Sequence, residues 1–301
     1  MFTKILFATS ASPACDNAAK LSFNLARQHN AKLYTLHVLG VPSRGFSTTV
    51  TDLRTGEEET VDADYRDWVM EEIHTTYASQ LSAYENTAIE LTVGVPATEI
   101  LRFARKENVD LIVMGSNTRN DDPEAKRSRS IVGRTMEKVA RLAKCPVLIA
   151  NTPSTSCWQP SSSIVYCTDF SKAADTAFSF ASTTARQIGA TLYIFHVFDM
   201  ANSKLGLFPS QSDIERQITK AQQTIQERYI SLLDGYDNYE IAIWKGTPHI
   251  EILHFAQKKQ ADLIIMAHHA TEVPADDFEL GSTIEQVVVR SACPVASVSR
   301  S

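Results

Sequence analysis

The chain is one pattern written twice, and this repeat restricts its fold more than any other feature. "GVPATEILRFARKENVDLIVMG", residues 94–115, aligns without gaps to "GTPHIEILHFAQKKQADLIIMA", residues 246–267. Gly94 pairs with Gly246, Pro96 with Pro248, Glu99 with Glu251, Phe103 with Phe255 and Asp110 with Asp262. Further on, "VGRTMEKVARLAKCPVLIA" matches "LGSTIEQVVVRSACPVASV", which sets Gly133 opposite Gly281 and Cys145 opposite Cys293. At the front, "KILFATSASPACDNAAKLSFNLA" matches "SIVYCTDFSKAADTAFSFASTTA", and "AKLYTLHV" matches "ATLYIFHV" with His37 opposite His196. The blocks keep their order at a period of about 150 residues, so the chain is one domain duplicated. The predicted domains are 1–151 and 160–301, joined through the Pro/Ser-rich "NTPSTSCWQPSSS" of residues 151–163.

Within each half, apolar runs alternate with helical periodicity. Ile5 to Thr9, Lys32 to Val38, Ile89 to Val93, Asp110 to Met114 and Pro146 to Ala150 read as strands. Ala14 to Arg27, Asp64 to Tyr84, Ala97 to Glu107 and Ile131 to Ala143 read as helices, and Asp64 and Asp67 suit the positive end of a helix dipole. The second half repeats this, with its long helix over Gln211 to Leu233. Several β runs are continuously apolar, as expected of parallel strands covered on both faces. The predicted fold is therefore α/β: two repeated doubly wound domains with helices on both faces of a parallel sheet. Ligands of such sheets bind at the carboxyl ends of the strands, near the switch point.

Composition removes several function classes. The 301 residues are 44% hydrophobic and 21% charged, with a formal net charge of −6, which gives no global basic field for nucleic acid. No apolar run is long enough to span a bilayer, and the opening "MFTKILFATSAS" reads as a first strand rather than a signal peptide. The five cysteines are odd in number and lack CxxC spacing, so free thiols in a reducing cytoplasm are expected. Ser10, Ser12, Ser171 and Ser282 have no triad partners visible in sequence, and nothing resembles a Walker A motif. Adjacent His268 and His269 would point apart at a strand end, so no metal is expected there. His37 and His196 read as packed, hydrogen-bonded core histidines, and Asp110 and Asp262 as caps at strand starts.

Taken together, an opening strand ending in "TDFS", "LHV" and "FHV", G-x-P-x-x-E-I, "DLIVMGS", and "GST" followed by a helix and then "CPV" resemble the universal stress protein family, in two copies. The resemblance implies a five-stranded parallel sheet per half, of the adenine nucleotide alpha hydrolase-like kind. It also implies that two such units pair through their last strands. Here those strands are Pro146 to Ala150 and Pro294 to Val298, giving an intramolecular pseudo-dimer, with a homodimer of the whole chain as a further assembly.

Nucleotide-binding members carry G-x-x-G, about nine residues, then G-S/T at a helix start, where glycines and a helix N-terminus receive phosphates. An Asp after strand one faces the adenosine, and the residue after the strand-two His, here Val38 or Val197, offers backbone contacts to the base. The two halves depart from the pattern differently. The first keeps Gly115 and Gly133 but has Ser10 for the Asp, Thr118 for a glycine and Arg134 after Gly133. Its longer loop carries Lys126, Arg127 and Arg129, which either grip phosphates or form a solvated loop balanced by Asp121, Asp122 and Glu124. The second keeps Asp169, Gly281, Ser282 and Thr283 but has Ala267 and Ala270 at the glycine positions. If those positions must be left-handed, each alanine costs about 1–2 kcal/mol.

The resemblance implies a cytoplasmic stress-response regulatory protein, a binding module with a degenerate ATP or AMP site per half that acts through protein partners. The second half is the favoured nucleotide site. The alternatives are a slow ATPase and a pseudo-dimer with both sites dead.

Overall fold

The computed structural model describes residues 2–42, 49–52, 56–115, 133–150, 161–199, 210–268 and 282–299. It divides into two compact units, Met1–Pro153 and Ser154–Ser301.

In the first unit β1 (Lys4–Thr9), α1 (Asp16–His29) and β2 (Lys32–Val38) form the opening crossover. Three short strands follow, β3 (Gly40–Pro42), β4 (Thr49–Asp52) and β5 (Glu58–Thr60), then α2 (Ala63–Thr76) and α3 (Ala78–Ala83). β6 (Thr87–Thr92), α4 (Pro96–Glu107), β7 (Leu111–Gly115), α5 (Arg134–Leu142) and β8 (Val147–Ala150) complete it. The main strands run parallel in the order β6-β2-β1-β7-β8. Ile5, Leu6 and Phe7 on β1 and Leu111, Ile112 and Val113 on β7 are fully buried, as continuous apolar runs in a covered sheet should be.

The second unit repeats the plan with β9 (Ser163–Thr168), α6 (Lys172–Ile188), β10 (Thr191–Asp199), α7 (Gln211–Arg228), β11 (Tyr239–Gly246), α8 (Pro248–Lys258), β12 (Leu263–His268), α9 (Ser282–Arg290) and β13 (Val295–Ser299). Its order is β11-β10-β9-β12-β13, again parallel throughout. Each unit is thus the expected doubly wound five-stranded sheet. Local sequence supports it: Ser171 caps α6 by accepting from the Ala174 amide at 3.1 Å, and Ser210 with Asp213 forms a capping box on α7.

The shared G-x-P-x-x-E has a physical basis. Gly94 and Gly246 have φ of 145° and 151°, which disfavour any side chain, and a Cβ there would lie 2.7 or 2.5 Å from the Glu99 or Glu251 carboxylate. Pro96 and Pro248 then open α4 and α8 at a position whose N–H has no helical partner.

Two features differ from expectation. The antiparallel sheet β3-β4-β5 of the first unit has no counterpart among the described residues of the second. The long helix predicted over 64–84 is broken at Tyr77, and that over 211–233 ends at Arg228 before a short 3-10 turn, Ile230–Leu233. Both breaks fall at a fully buried tyrosine. Tyr77 and Tyr229 bring their hydroxyls to the Thr9 and Thr168 hydroxyls at 2.6 and 2.8 Å, so the helix yields to a tertiary hydrogen bond.

The strand-start aspartates also do more than cap. Asp110 Oδ2 accepts from Thr3 N, Thr3 Oγ1 and Lys4 N at 2.6, 2.7 and 2.9 Å, while the Asp110 amide donates to Lys4 O. Asp262 Oδ2 accepts from Ser163 N at 2.8 Å and its amide donates to Ser163 O. Each aspartate clasps the neighbouring first strand and fixes its register.

Candidate functional site

In both units the end of the first strand is held by the same three groups. Thr168 Oγ1 meets Tyr229 Oη and also accepts from the Phe170 amide at 3.0 Å, while its carbonyl takes His196 Nδ1 at 2.8 Å. Thr9 does the same with Tyr77, Ala11 and His37, at 2.6, 2.9 and 3.0 Å. A carbonyl can only accept, so Nδ1 carries the proton in both histidines. Burial lowers the His196 pKa against the opposing pull of that carbonyl and of Asp169. The histidines are packed structural groups, as expected. The residue two past the threonine, whose amide donates to the threonine hydroxyl, is left-handed in both units: Ala11 has φ 53° and Phe170 φ 63°.

The turn in the second unit presents Asp169. Its Oδ1 accepts from the Ser171 amide at 3.0 Å, and the Phe170 ring lies against His196 with centroids 4.4 Å apart. Arg228 secures the turn from outside, donating to the Phe170 carbonyl at 2.5 Å and to both Asp175 oxygens at 2.7 and 2.6 Å.

Beside Asp169 lies a cleft of about 380 Å³ at the carboxyl ends of β9, β10 and β12. Its floor is Cys167, Met266 and Phe195, and one wall is Pro248 and Ile252 of α8. Thr283 and Ile284 bring the first turn of α9 to it, so backbone N–H groups and the positive end of a helix dipole face the cleft. Val197, Asp199, Ala267, His268 and Thr168 complete the lining. The strand register explains how Val197 takes part. β10 pairs with β9 only as far as His196, but with β11 as far as Asp199, so Val197 runs on past the end of β9 along the cleft. Burial pushes the Cys167 thiol well up, which keeps it protonated and makes it an apolar floor group rather than a nucleophile.

Of the residues singled out from sequence, Asp169, Val197, Ala267 and Thr283 converge on this one cleft. Ser282 is the first residue of α9. Ala270 and Gly281 lie outside the described residues, as does His269. Ala267 sits in extended β12 and is absent from the positive-φ residues, so the left-handed cost reckoned for it does not arise. Asp199 and His268 were not expected as lining groups. The available signal for Asp199 was its place two residues after Val197, opposite Gly40 of the first half.

In the first unit Val38 is buried at the end of β2, Gly115 ends β7, and Gly133 caps α5 with φ −63°, followed by exposed Arg134. Gly115 is not left-handed either. A Cβ on it would lie 2.7 Å from the Ala14 carbonyl, so this glycine serves a close backbone approach. Thr118, Lys126, Arg127 and Arg129 fall outside the described residues.

Comparison with known proteins agrees with this architecture. The family model described as "Universal stress protein family" matches residues 1–151 and again 161–299. A universal stress protein of Methanocaldococcus jannaschii is 30% identical over 163 residues, 51% of this chain and 84% of that protein. The crystal structure of a universal stress protein from Archaeoglobus fulgidus DSM 4304 covers 99% of this chain and 98% of its own, with a TM-score of 0.67 at 22% identity. Another from Archaeoglobus fulgidus, solved in complex with dAMP, is 22% identical and overlaps 46% of this chain and 99% of its own, with a TM-score of 0.34.

Proposed function

The chain belongs to the universal stress protein family, and from that premise we propose that it is a cytoplasmic stress-response binding protein whose second unit carries an adenine-nucleotide site. The carrying observation is the cleft at the carboxyl ends of β9, β10 and β12, which gathers Asp169, Val197, Ala267 and Thr283 from four separate segments. Its chemistry suits a nucleoside monophosphate such as AMP, or ATP. An apolar floor accepts a planar base, the backbone beyond His196 offers base-edge contacts, Asp169 accepts from ribose or base, and the α9 N-terminus faces an anion. Nucleotide occupancy would change the cleft rim, and protein partners would read that change. The first unit lacks the carboxylate, having Ser10 in place of Asp169, and is assigned no independent nucleotide role.

Isothermal titration with AMP and with ATP tests this reading. A saturable isotherm is expected, abolished by Asp169→Ala and unaffected by Arg134→Ala. The reverse pattern would move the nucleotide to the first unit. A flat isotherm would return the pseudo-dimer with dead sites, and phosphate release from bound ATP would return the slow ATPase.

A further inference from the structure

The glutamate of the repeated G-x-P-x-x-E is used differently in the two units. In the first, Glu99 is buried, pairs with Arg102 Nη1 at 2.9 Å and lies 3.5 Å from the Thr92 hydroxyl. In the second, both of these groups are replaced: Trp244 stands opposite Thr92, and exposed His254 opposite Arg102. Among the described residues no hydrogen bond or ion pair reaches the Glu251 carboxylate, which is half-buried against Gly246 at the end of β11.

Glu251 faces a groove of about 350 Å³. Ile214 and Ile218, one turn apart on α7, form one side of it. Ile243, Trp244 and Lys245 of β11 form another. Successive strand residues point to opposite faces, so a groove lined by all three runs over the edge of the strand rather than beneath one face. That edge is open: β11 pairs with β10 alone among the described residues. Edge strands are ordinarily blunted by charge or proline. In β11 the charges stand near the ends, at Glu240, which Lys259 holds at 2.6 Å, and at Lys245, while Ile241 to Trp244 carry neither charge nor proline.

We propose that this groove docks an extended segment of a partner protein, which adds to β11 as a further strand, sends apolar side chains between α7 and Trp244, and presents a Lys or Arg to Glu251. Backbone pairing along the edge supplies affinity, and the groove supplies selectivity. The half-buried carboxylate without a cation sets the sign: a basic residue gains a charge-assisted bond there, and an acidic one is repelled. Lys245 is exposed on the rim, where solvent and salt weaken its pull on the segment. Glu251 stands in the same opening part of α8 as Pro248 and Ile252, which wall the cleft. The groove thus gives the protein-partner side of the proposed function a place, and it stands without the nucleotide side.

The experiment pans a phage library of random peptides, about ten residues long, on the full-length chain without nucleotide. The enriched sequences should alternate apolar with polar residues and carry a Lys or Arg. A synthetic copy at saturation should slow hydrogen exchange of the outward amides of β11 at least about tenfold and leave β6 unchanged. Glu251→Gln should weaken that peptide about tenfold. Glu251→Lys should reverse the preference, so that a copy with Glu in place of its basic residue binds better. No enrichment overturns the proposal, as do enriched peptides that leave β11 exchange unchanged in the unmodified chain, a result that needs no variant. Affinity indifferent to Glu251→Gln overturns it too. Sedimentation of the chain alone tests the other occupant: a dimer that Glu251→Lys dissolves would seat a second copy on β11 and overturn the partner segment. None of these outcomes alters the nucleotide titration, which stands or falls by Asp169.

Discussion

After the same threonine, the two units leave their sheets differently. In the first, Pro13–Cys15 forms a 3-10 turn before α1 begins at Asp16. In the second, α6 begins directly at Lys172 under a Ser171 cap. The difference propagates to the facing strand. The 3-10 turn brings the Ala14 carbonyl against the end of β7, and only glycine fits at residue 115. The direct helix start allows a methyl, and β12 carries Ala267. The glycine and alanine that distinguish "IVMG" from "IIMA" thus follow from the helix entry. A matched scaffold can be kept while the two copies turn differently at the carboxyl edge, because those turns are independent of the strand register.

The sharpest way to break this account is to exchange the two residues. Gly115→Ala forces a Cβ onto the Ala14 carbonyl and should destabilise the protein by about 2–3 kcal/mol, as an overpacked backbone contact does. Ala267→Gly only loses backbone restraint and should cost about 0.5–1 kcal/mol. Denaturant melts of both variants check the asymmetry, and equal losses would show that the helix entry does not set the choice.

Next come the features the units share. Tyr77→Phe and Tyr229→Phe each remove a hydroxyl that meets a buried threonine, and each should cost about 1–1.5 kcal/mol. If only one of them does, the two strand ends are not equivalent devices.

These tyrosines also show where the sequence stops being legible. The parallel sheets were readable because every strand and crossover helix occurs twice in register. Thr9 and Thr168 end matched strands, but their partners lie 68 and 61 residues further on. The tyrosine pairing falls where the copies differ in length, so alignment cannot find it. The β3-β4-β5 sheet has no second copy among the described residues, and its strands are three or four residues long, too short for periodicity to register. At the site, Asp169 and Val197 were legible because they adjoin matched strand ends. Asp199 was not, since its opposite number is a glycine committed to another sheet.

A smaller contrast lies at the amino ends of the sheets. Burial raises the Asp110 carboxyl, but the hydrogen bonds from Thr3 and Lys4 and the nearby N-terminal charge outweigh it and hold the group below the ordinary carboxylate range. A depressed folded-state pKa contributes stability that is present above the unfolded value near 4 and is lost as pH falls through and below it. Asp110→Asn should cost about 1 kcal/mol near neutral pH and remove part of the acid dependence below about pH 4. Asp262→Asn, with one donor shown against three, should cost about half as much. Guanidinium melts at neutral and at acid pH read both quantities, and an Asp110→Asn protein with the full acid loss would refute the assignment.

The smallest stability effect belongs to Arg228. It stands one residue before Tyr229, where the first unit has exposed Thr76 before Tyr77. Its guanidinium joins the Phe170 carbonyl to the Asp175 carboxylate and so braces the left-handed residue that follows Asp169. The pair is not deep: the Arg228 and Asp175 side chains are 33% and 44% exposed, so water and salt screen much of the attraction. Arg228→Ala should therefore cost only about 0.5–1 kcal/mol of global stability, and Thr76→Ala nothing measurable. The local effect should be larger than the global one. The Phe170 and Ser171 amides, held by Thr168 Oγ1 and Asp169 Oδ1, should exchange with solvent at least about tenfold faster, since they need only the turn to open rather than the unit to unfold. The Ala11 amide, held by Thr9 in the first unit, should keep its rate. Arg228→Lys, which retains the charge but cannot span carbonyl and carboxylate with a fork, should fall between. Unchanged exchange at Phe170 and Ser171 in Arg228→Ala would mean that Thr168, Tyr229 and His196 alone hold the turn, as Thr9, Tyr77 and His37 do in the first unit, and the comparison would lose its one asymmetric brace.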